Sequence, residues 1–408
     1  MLASLRDRRG ALAERQFRLL FTATAITTAG DQVASIALAF AVLDLGSATD
    51  LGIVFAVRQS IEVLVLLLGG VVSDRVPRHL VLVAASLTQG LAQALTAALV
   101  LTDSASVASI VLLQGLYGVG NGLVVPAEVG LVPQTVSPAR LQQANALQGL
   151  TRNFLRVLGP AAGGALVVVG SPGVALAVDA VSFFVCAEVL RRIRIAPRQL
   201  GAEAAGFFRE LREGWGQFVS RTWLWASVLF FGLGNLAFAA QGVLGPAVAK
   251  AELGGAGAWA TILTAGGLGS VVGGVLALRI RPSRPLAASV IAAVPFGLTL
   301  AALAVPAPVW LIAATSFVAG AGLSLHLALW FTVFQQQVPE RAQSRVSSYD
   351  ALGSFVLMPI GFALAGPLAD SIGTSATLWA AFVLDIGCLA AILVIPSVWA
   401  IRRVSTVP

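Results

Sequence analysis

The sequence predicts an all-α membrane protein, with twelve transmembrane helices divided between two six-helix bundles. Its 408 residues are 57% hydrophobic and 11% charged, and its mean hydropathy is +0.89, whereas soluble domains carry about 25% charged residues. Twelve stretches reach the length of about 20 apolar residues that a helix needs to cross a bilayer. Because unpaired backbone groups are costly in lipid, runs of this length must be helical.

The twelve predicted spans are separated by short connections, except in the middle of the chain. They cover residues 17–41, 51–73, 79–101, 107–131, 145–169, 173–193, 222–246, 258–279, 286–305, 308–332, 346–369 and 374–400. We therefore expect an amino-terminal bundle over residues 1–194, a cytoplasmic linker over 195–221 and a carboxy-terminal bundle over 222–408. Residues 206–219 of the linker place apolar and charged residues at helical spacing. This pattern is typical of an amphipathic helix on the inner membrane surface, or of a solvated linker helix.

The placement of basic residues predicts that both termini are cytoplasmic, since arginine and lysine concentrate in cytoplasmic loops. Arginines occur in every predicted inner segment, for example Arg6, Arg78, Arg140, Arg284 and Arg402. The predicted outer loops contain one basic residue, Lys250. The net charge of +7 therefore indicates topology and contact with anionic lipid headgroups, and we expect no nucleic-acid partner.

The two halves of the chain show a weak internal repeat. A Gly-Gly pair at 69–70 recurs at 273–274, and the polar segment that begins at Val136 resembles the one that begins at Val338. Each half contains six spans, an even number, so both halves enter the membrane from the same side. This pattern predicts two bundles of the same orientation that meet at a central cavity.

The segment between predicted spans 2 and 3 reads GGVVSDRVPRHLVL. It resembles the G-x-x-x-D-R-x-G-R-[KR] signature of the major facilitator superfamily. The matching positions are Gly70, Asp74, Arg75 and Arg78. Pro77 replaces the second glycine of the signature, and His79 replaces its final basic residue. The resemblance implies the major facilitator fold, in which two bundles open alternately to the two sides of the membrane.

The same resemblance implies that this segment belongs to an inner gate. Asp74 would cap the amino terminus of a helix from the other half. Arg75 would pair with an anion, for which Glu128 at the inner end of span 4 is the candidate. We assign Asp350, in the inner part of span 11, to the same gate. A charged loop that only anchors the topology is the alternative interpretation.

Predicted span 5 contains the segment LGPAAGGAL, which resembles the G-P-x-x-G-G motif of antiporters and exporters in the superfamily. Its motif residues are Gly159, Pro160, Gly163 and Gly164. Small residues let helices approach closely, and a proline can bend a helix; ordinary small-residue packing is the alternative. Residues 126–166 resemble the branch that includes the enterobactin exporter and macrolide efflux proteins. Val111 stands where drug exporters commonly have an arginine.

Several charged residues fall inside predicted spans, where each costs at least about 2.5–3.5 kcal/mol at mid-bilayer. Asp31 lies in span 1, and Arg58 and Glu62 lie four residues apart on one face of span 2. We predict that Asp31 or Glu62, beside Arg58, carries the coupled proton; a static ion-pair network is the alternative. For Asp179 and Asp385, in spans 6 and 12, we expect structural or lipid-interface roles.

Other polar residues within the spans are candidates for the substrate cavity. They are Arg152, Arg156, Asn121, Asn153, Asn235, Gln241 and His326. Arg152 and Arg156 share one face of span 5. Arg152 would pair with Glu188, or the two arginines would bind an anionic substrate. His326 would either titrate during transport or be a hydrogen-bonded core residue.

The sequence and the resemblance together predict a secondary active transporter. We expect proton-coupled export, by antiport, of a lipophilic or amphiphilic small molecule such as a drug, an antibiotic or a siderophore. A proton-coupled importer is the first alternative, and a channel or a non-transporting receptor is the second. We expect a monomer in the cell membrane, whose partners are the substrate, protons and the bilayer.

The sequence contains no motif for catalysis or for a bound group. Cys186 and Cys388 are two isolated cysteines within apolar runs, which do not form a disulfide framework or a metal site. Zinc-protease, serine-hydrolase and nucleotide-binding motifs are missing. We therefore expect neither an enzyme nor an ATP-driven pump, and no metal or cofactor.

Overall fold

The computed structural model describes residues 10–195 and 215–403, and for residues 67–75, 340–341 and 344–345 it describes the backbone alone. The part of the chain so described is almost entirely helical and contains no β-strand. The chain forms two compact units, Met1–Gly201 and Ala202–Pro408. Residues 206–214 of the expected amphipathic helix lie outside the described residues, and residues 215–219 are helical. The limits of the linker stay a prediction.

The first unit begins with a short 3-10 turn, Gly10–Ala13, and continues with one long helix for each of predicted spans 1 to 6. These helices are α1 (Arg15–Leu45), α2 (Ala48–Arg75), α3 (Arg78–Leu101), α4 (Val107–Thr135), α5 (Leu141–Val169) and α6 (Pro172–Arg191). Serine side chains cap two of them: Ser106 accepts a hydrogen bond from the backbone of Ser109 in α4, and Ser171 accepts one from Val174 in α6. Such caps satisfy amide groups that a helix leaves unpaired at its amino terminus.

The second unit contains more helices because proline interrupts some of the predicted spans. From Thr222 onward, its α-helices are α7 (Thr222–Val248), α8 (Ala256–Arg279), α9 (Pro285–Ala293), α10 (Pro295–Ala304), α11 (Val309–Gln337), α12 (Glu340–Phe355), α13 (Met358–Ile372), α14 (Thr374–Val394) and α15 (Pro396–Ala400). Predicted span 9 divides at Pro295 and predicted span 11 divides just before Pro359. A proline has no backbone N–H to donate, so it commonly begins a new helix.

Ten of the described helical segments are long and apolar enough to cross a membrane. Two predicted spans are not among the ten. In predicted span 2, the structure describes the side chains of α2 only as far as Leu66. In predicted span 5, the first half of α5 is polar and contains Arg152 and Arg156. All twelve predicted spans nevertheless coincide with helices, so the all-α prediction is confirmed.

Helices pack in the same order within each unit. In the first unit, α1 packs on α5 and α6, α4 packs on α2 and α3, and α3 also packs on α6. In the second unit, α7 packs on α13 and α14, α11 packs on α8, α9 and α10, and α10 also packs on α14. The six spans of one half therefore correspond in order to those of the other, as the internal repeat predicts.

Candidate functional site

Asp31 has two important neighbours inside the first unit: the aromatic Tyr117 and the charged Arg58. The hydroxyl of Tyr117, on α4, donates a hydrogen bond to Asp31 Oδ1 on α1. The guanidinium of Arg58, on α2, lies over the ring of the same tyrosine, 3.9 Å from its centroid. Tyr117 is 1% exposed and Arg58 is half-buried, so this cation–π contact contributes about 0.5–2 kcal/mol. Asp31 is therefore linked to Arg58 through the tyrosine.

A chain of amide side chains links Arg58 to a second carboxylate. Arg58 Nη1 donates to Gln114 Oε1 at 3.4 Å, and Gln114 Nε2 donates to Gln93 Oε1 at 3.2 Å. Gln93 Nε2 then donates to Asp179 Oδ2 at 2.7 Å. Asp179 also accepts a hydrogen bond from Ser182 at 3.4 Å. We refer to the six residues of both branches as the polar network: Asp31, Arg58, Gln93, Gln114, Tyr117 and Asp179.

Asp179 is fully buried, so the lipid-interface role considered for it is wrong. Its carboxylate lies directly against α1 at Gly30, where an added Cβ would be 2.3 Å from Asp179 Oδ1. Only glycine leaves room for the carboxylate there. Asp31 follows Gly30 in the chain, and the two carboxylates are close enough to interact electrostatically. The small residue in α1 thus brings both acids into one site.

Glu62 lies near the polar network without joining it. It interacts electrostatically with Asp31. Within the described residues, Glu62 forms no ion pair with Arg58, whose guanidinium contacts Gln114 and Tyr117. The two residues share a helix face, yet the arginine extends toward α4.

A cavity of about 60 Å³ lies beside Asp31 within the first unit. Its polar wall includes Asp31, Gln89, Asn121 and Glu128, and Gln89 Nε2 donates to Asn121 Oδ1 at 3.4 Å. The wall also has apolar side chains from α1, α3, α4 and α6, and four small residues from α1, α3 and α6. The apolar ones are Leu20, Leu82, Val124, Phe183 and Leu190, and the small ones are Thr24, Thr27, Ser86 and Cys186. A cavity of this volume has room for a few water molecules or one small chemical group.

Glu128 is the ion-pair partner of Arg152, so the pairing expected between Arg152 and Glu188 is wrong. Arg152 Nη1 lies 3.5 Å from Glu128 Oε1, and Gln148 donates to the same oxygen at 3.3 Å. Glu188 instead binds Arg191 at 2.7 Å and, through its other oxygen, Arg192 at 2.9 Å. It lies in the last turn of α6, where arginines three and four residues later are its nearest cations.

The described residues of the expected inner gate occupy both units. Arg78 Nη1 donates to the carbonyl of Gly130 on α4 at 2.6 Å. Asp350, in the second unit, accepts a hydrogen bond from Trp330 Nε1 at 3.3 Å. Gly70 lies in the last turns of α2, and the side chains of Asp74 and Arg75 lie outside the described residues. The gate, including the contact between Arg75 and Glu128, stays a prediction.

Comparison with known proteins identifies the family. The sequence model of the Major Facilitator Superfamily matches residues 20–361. The chain belongs to this superfamily. It is therefore a membrane-embedded transporter of small molecules, in a family whose members are not enzymes in general. No curated protein matches the sequence significantly.

Solved structures show the same fold at low sequence identity. A bacterial homologue of the human lysosomal transporter Spinster, inward-facing and unoccupied, has a TM-score of 0.73 at 14% identity, covering 96% of this chain and 99% of its own. A variant of the nucleoside transporter NupG has a TM-score of 0.71 at 12% identity, with 93% and 99% covered. An inward-facing bacterial homologue of the iron transporter ferroportin has a TM-score of 0.68 at 18% identity, with 92% and 99% covered. These identities establish the fold alone.

The remaining substrate-cavity candidates of this facilitator lie on helices of both units. Asn153 and Arg156 are exposed on α5. In the second unit, Asn235 Nδ2 donates to the carbonyl of Ser354 at 2.7 Å, and Gln241 is half-buried. Of the candidates, Asn121 shares the cavity with Asp31, and the ion pair between Arg152 and Glu128 borders it.

His326 is buried in the second unit, in a set of direct contacts. Its Nδ1 lies 2.9 Å from Ser289 Oγ, and its ring meets Phe231 edge to face, with centroids 4.9 Å apart. These contacts are those of a hydrogen-bonded core histidine, the second of the two interpretations drawn from the sequence.

The glycine and proline motif of α5 faces α1 of the facilitator close to Asp31. Gly159, Pro160, Gly163 and Gly164 are all buried, and α5 continues through the proline. A Cβ added at Gly159 would lie 2.2 Å from the Cβ of Gln32, and one added at Gly163 would lie 2.9 Å from the backbone of Val33. The motif therefore lets α5 pack tightly on the two residues that follow Asp31.

Proposed function

We propose that this transporter is a proton-coupled exporter, working by antiport, of a lipophilic or amphiphilic small molecule. The observation that carries the proposal is the position of Asp31. This carboxylate lies in a membrane-spanning helix, contacts Tyr117, and borders a cavity that also has an apolar wall. Intramembrane carboxylates commonly mark proton or ion pathways. Proton uptake by Asp31 would weaken its interaction with Arg58 and so change which conformation is favoured.

Arg58 supports the proposal by supplying a cation to the position of Gln114, where the α4 arginine of drug exporters is missing. In drug exporters of the superfamily an arginine commonly stands three residues before the position of Gln114, where this chain has Val111. Here the guanidinium of Arg58 comes from α2 and donates to Gln114 itself. A positive charge therefore stands beside the carboxylates although it originates from another helix.

Two further features favour export of a lipophilic substrate. The motif in α5 resembles that of antiporters and exporters, and the surrounding residues resemble those of the enterobactin and macrolide exporters. The cavity beside Asp31 has leucine, valine and phenylalanine side chains in its wall, which suit an apolar portion of a ligand. We further propose that the protein is a monomer in the cell membrane with both termini in the cytoplasm.

Drug accumulation in cells tests this function. Cells expressing the transporter would be loaded with ethidium, doxorubicin or erythromycin, with and without a protonophore, and compared with cells carrying an empty vector. Export predicts lower accumulation of at least one compound, which rises when the protonophore collapses the gradient. Higher accumulation that falls with the protonophore would indicate an importer, and equal accumulation of all three compounds would contradict the proposed substrate class.

A pair of variants provides the matched control. Asp31→Asn should raise accumulation to the level of the empty vector, because an amide cannot carry the proton. Asp385→Asn makes the same chemical change at a buried position of the second unit and should retain export.

A further inference from the structure

We propose that Asp179 is the second carboxylate of the proton site, and that Asp31 and Asp179 hold one proton between them while competing for the charge of Arg58. The proposal rests on the proposed proton coupling. Asp31 reaches Arg58 through Tyr117, and Asp179 reaches it through two glutamines. The chemical step is proton transfer alone. A carboxylate oxygen takes a proton from hydronium on one side of the membrane, which leaves water; the carboxyl O–H bond then breaks and the proton passes to water on the other side.

The hydrogen bonds between Arg58 and Asp179 all run in one direction. Each residue of the branch donates to the next, from the guanidinium to Gln114, then to Gln93, and finally to the carboxylate. Donors and acceptors in such a chain polarise one another, so the branch strengthens as a whole. Amide groups do not pass protons readily, but they transmit the influence of a charge. Gln93 and Gln114 are thus positioning residues: they connect Arg58 to Asp179 by hydrogen bonds and prevent direct contact between the two charges.

The charges around Asp179 do not balance. Among the described residues, the titratable or charged groups from other helices that act on the two carboxylates are Asp31 on α1, Arg58 and Glu62 on α2, and Tyr117 on α4. Two more titratable groups border the cavity beside Asp31: Glu128 on α4, which pairs with Arg152, and the thiol of Cys186 on α6. Helix α3 contributes the neutral Gln93, and on α6 itself Ser182 donates to Asp179. Two adjacent carboxylates therefore depend on one guanidinium. Asp179 lies against Gly30, the residue before Asp31, and two carboxylates that share one site disfavour double ionisation. The pair is therefore suited to binding one proton, and its titration belongs to both residues.

The second unit contains the corresponding positions without the carboxylate pair. Gly234, Asn235 and Asp385 occupy the places of Gly30, Asp31 and Asp179, and a Cβ added at Gly234 would lie 3.7 Å from Asp385 Oδ1. Asn235 is neutral, and its amide donates to the carbonyl of Ser354. Asp385 is 7% exposed, and its Oδ2 has no hydrogen-bond partner among the residues that the structure describes. The repeat therefore provides a single buried acid as a natural control for the pair.

Infrared spectroscopy of the purified full-length transporter in lipid vesicles tests the carboxylate pair without any substrate. The carbonyl band of protonated carboxyl groups would be measured as a function of pH. The part of this band that is lost in Asp31→Asn is the component assigned to the pair. In Asp179→Asn the midpoint of this component should move to lower pH by about one unit or more, since Asp31 then has Arg58 to itself. In Gln93→Met it should move to higher pH, because Asp179 loses its hydrogen bond and its link to the cation.

Opposite shifts in these two variants support the proposal, since a structural role alone would not reverse its sign between them. Unchanged midpoints, or shifts in one direction, would overturn it. Asp385→Asn should leave the midpoint of the component in place. Ser182→Ala removes a single weak hydrogen bond to Asp179 and should give a smaller upward shift, so it provides a test if either of the other variants does not fold. The two proposals can fail separately. If the midpoints shift in opposite directions but the protein shows no proton-driven transport, the proposed function is contradicted and the shared proton is still supported.

Discussion

At the residue scale, Tyr117 has two tasks in the polar network. Its hydroxyl donates to Asp31, and its ring carries the guanidinium of Arg58. The hydroxyl and the ring can be separated by mutation, since phenylalanine retains the ring. A hydrogen bond to a charged group contributes about 1.5–3 kcal/mol, and 1.36 kcal/mol corresponds to one pH unit of proton affinity. The hydroxyl is therefore worth about one to two pH units to the ionised form of Asp31.

We predict that Tyr117→Phe shifts the pH at which efflux is half-maximal upward by about one to two units. The reason is that the ionised carboxylate loses its donor and holds its proton more tightly. The measurement is efflux of the compound found by the accumulation assay, over a range of pH. Tyr349→Phe alters the only other tyrosine, which packs against Trp215 in the second unit, and should not shift the profile. An unshifted profile in Tyr117→Phe would contradict the role given to its hydroxyl.

A second prediction compares the two acids that the sequence nominates as proton carriers. Asp31→Asn should abolish efflux over the whole range of pH, because it removes the acid that contacts Tyr117. Glu62→Gln should have the smaller effect, because Glu62 acts on Asp31 only through its charge. Both variants are measured in the same efflux assay. If neither changes the pH dependence, the proton site is elsewhere.

Two charged members of the polar network could be predicted as functional from the sequence, and its neutral members could not. Asp31 and Arg58 stand out because a charge within an apolar run is costly and needs a reason. Gln93 and Tyr117 do not, since a lone amide or hydroxyl occurs in many membrane helices without any function. The sequence also marks Asp179 as a charge within an apolar run, but the depth of its burial depends on which helix faces it and on the small size of Gly30.

At the scale of helices, close contact through glycines determines how α5 meets α1. Gly163 leaves no space for a side chain against the backbone of Val33, whereas Gly149 on the same helix has nothing within 4 Å of an added Cβ. The two glycines therefore differ in what they permit, although both lie in α5. Packing requires glycine at position 163, whereas at position 149 a substitution would change only the helix propensity.

We predict that Gly163→Ala lowers the free energy of unfolding by about 1–3 kcal/mol, the usual effect of overpacking. Gly149→Ala is the matched control and should raise stability by up to about 1 kcal/mol, because alanine favours the helix more than glycine does. The measurement is the melting temperature of each purified variant in the same detergent. An equal effect at both positions would contradict the close contact of α5 with α1.

Helix positions could be predicted well from the sequence because the apolar runs have the length of a bilayer. The interruptions could not: predicted spans 9 and 11 each read as one apolar stretch, yet the structure divides them at Pro295 and before Pro359. A proline within a membrane helix either bends it or ends it. Hydropathy does not distinguish these outcomes, since both leave the run equally apolar.

At the scale of the whole molecule, the two units share a packing order and differ in their buried charges. The first unit has the polar network. On the corresponding helices α7 and α14, the second unit has Asn235 and Asp385, and its α11 has the core residue His326. The repeat in the sequence is weak because lipid-facing positions accept many apolar residues. We expect the proton site in the first unit to drive conformational change of a scaffold built from both.

We predict the orientation of the molecule from its arginines. In a variant without the native cysteines, Ser104→Cys lies in the exposed connection between α3 and α4, and Ser283→Cys lies in the exposed connection between α8 and α9. A membrane-impermeant maleimide should label Cys at position 104 on intact cells, and should label position 283 only after permeabilisation. The reverse pattern would invert the topology.

Proton-driven uptake into everted membrane vesicles tests the central claim most directly. In such vesicles export from the cell becomes uptake, and an acidic lumen supplies the driving force. The account predicts that the wild-type transporter accumulates the compound identified in cells, that dissipating the pH gradient releases it, and that Asp31→Asn vesicles accumulate none. Accumulation by Asp31→Asn at the wild-type level, or wild-type accumulation that survives loss of the gradient, would contradict it.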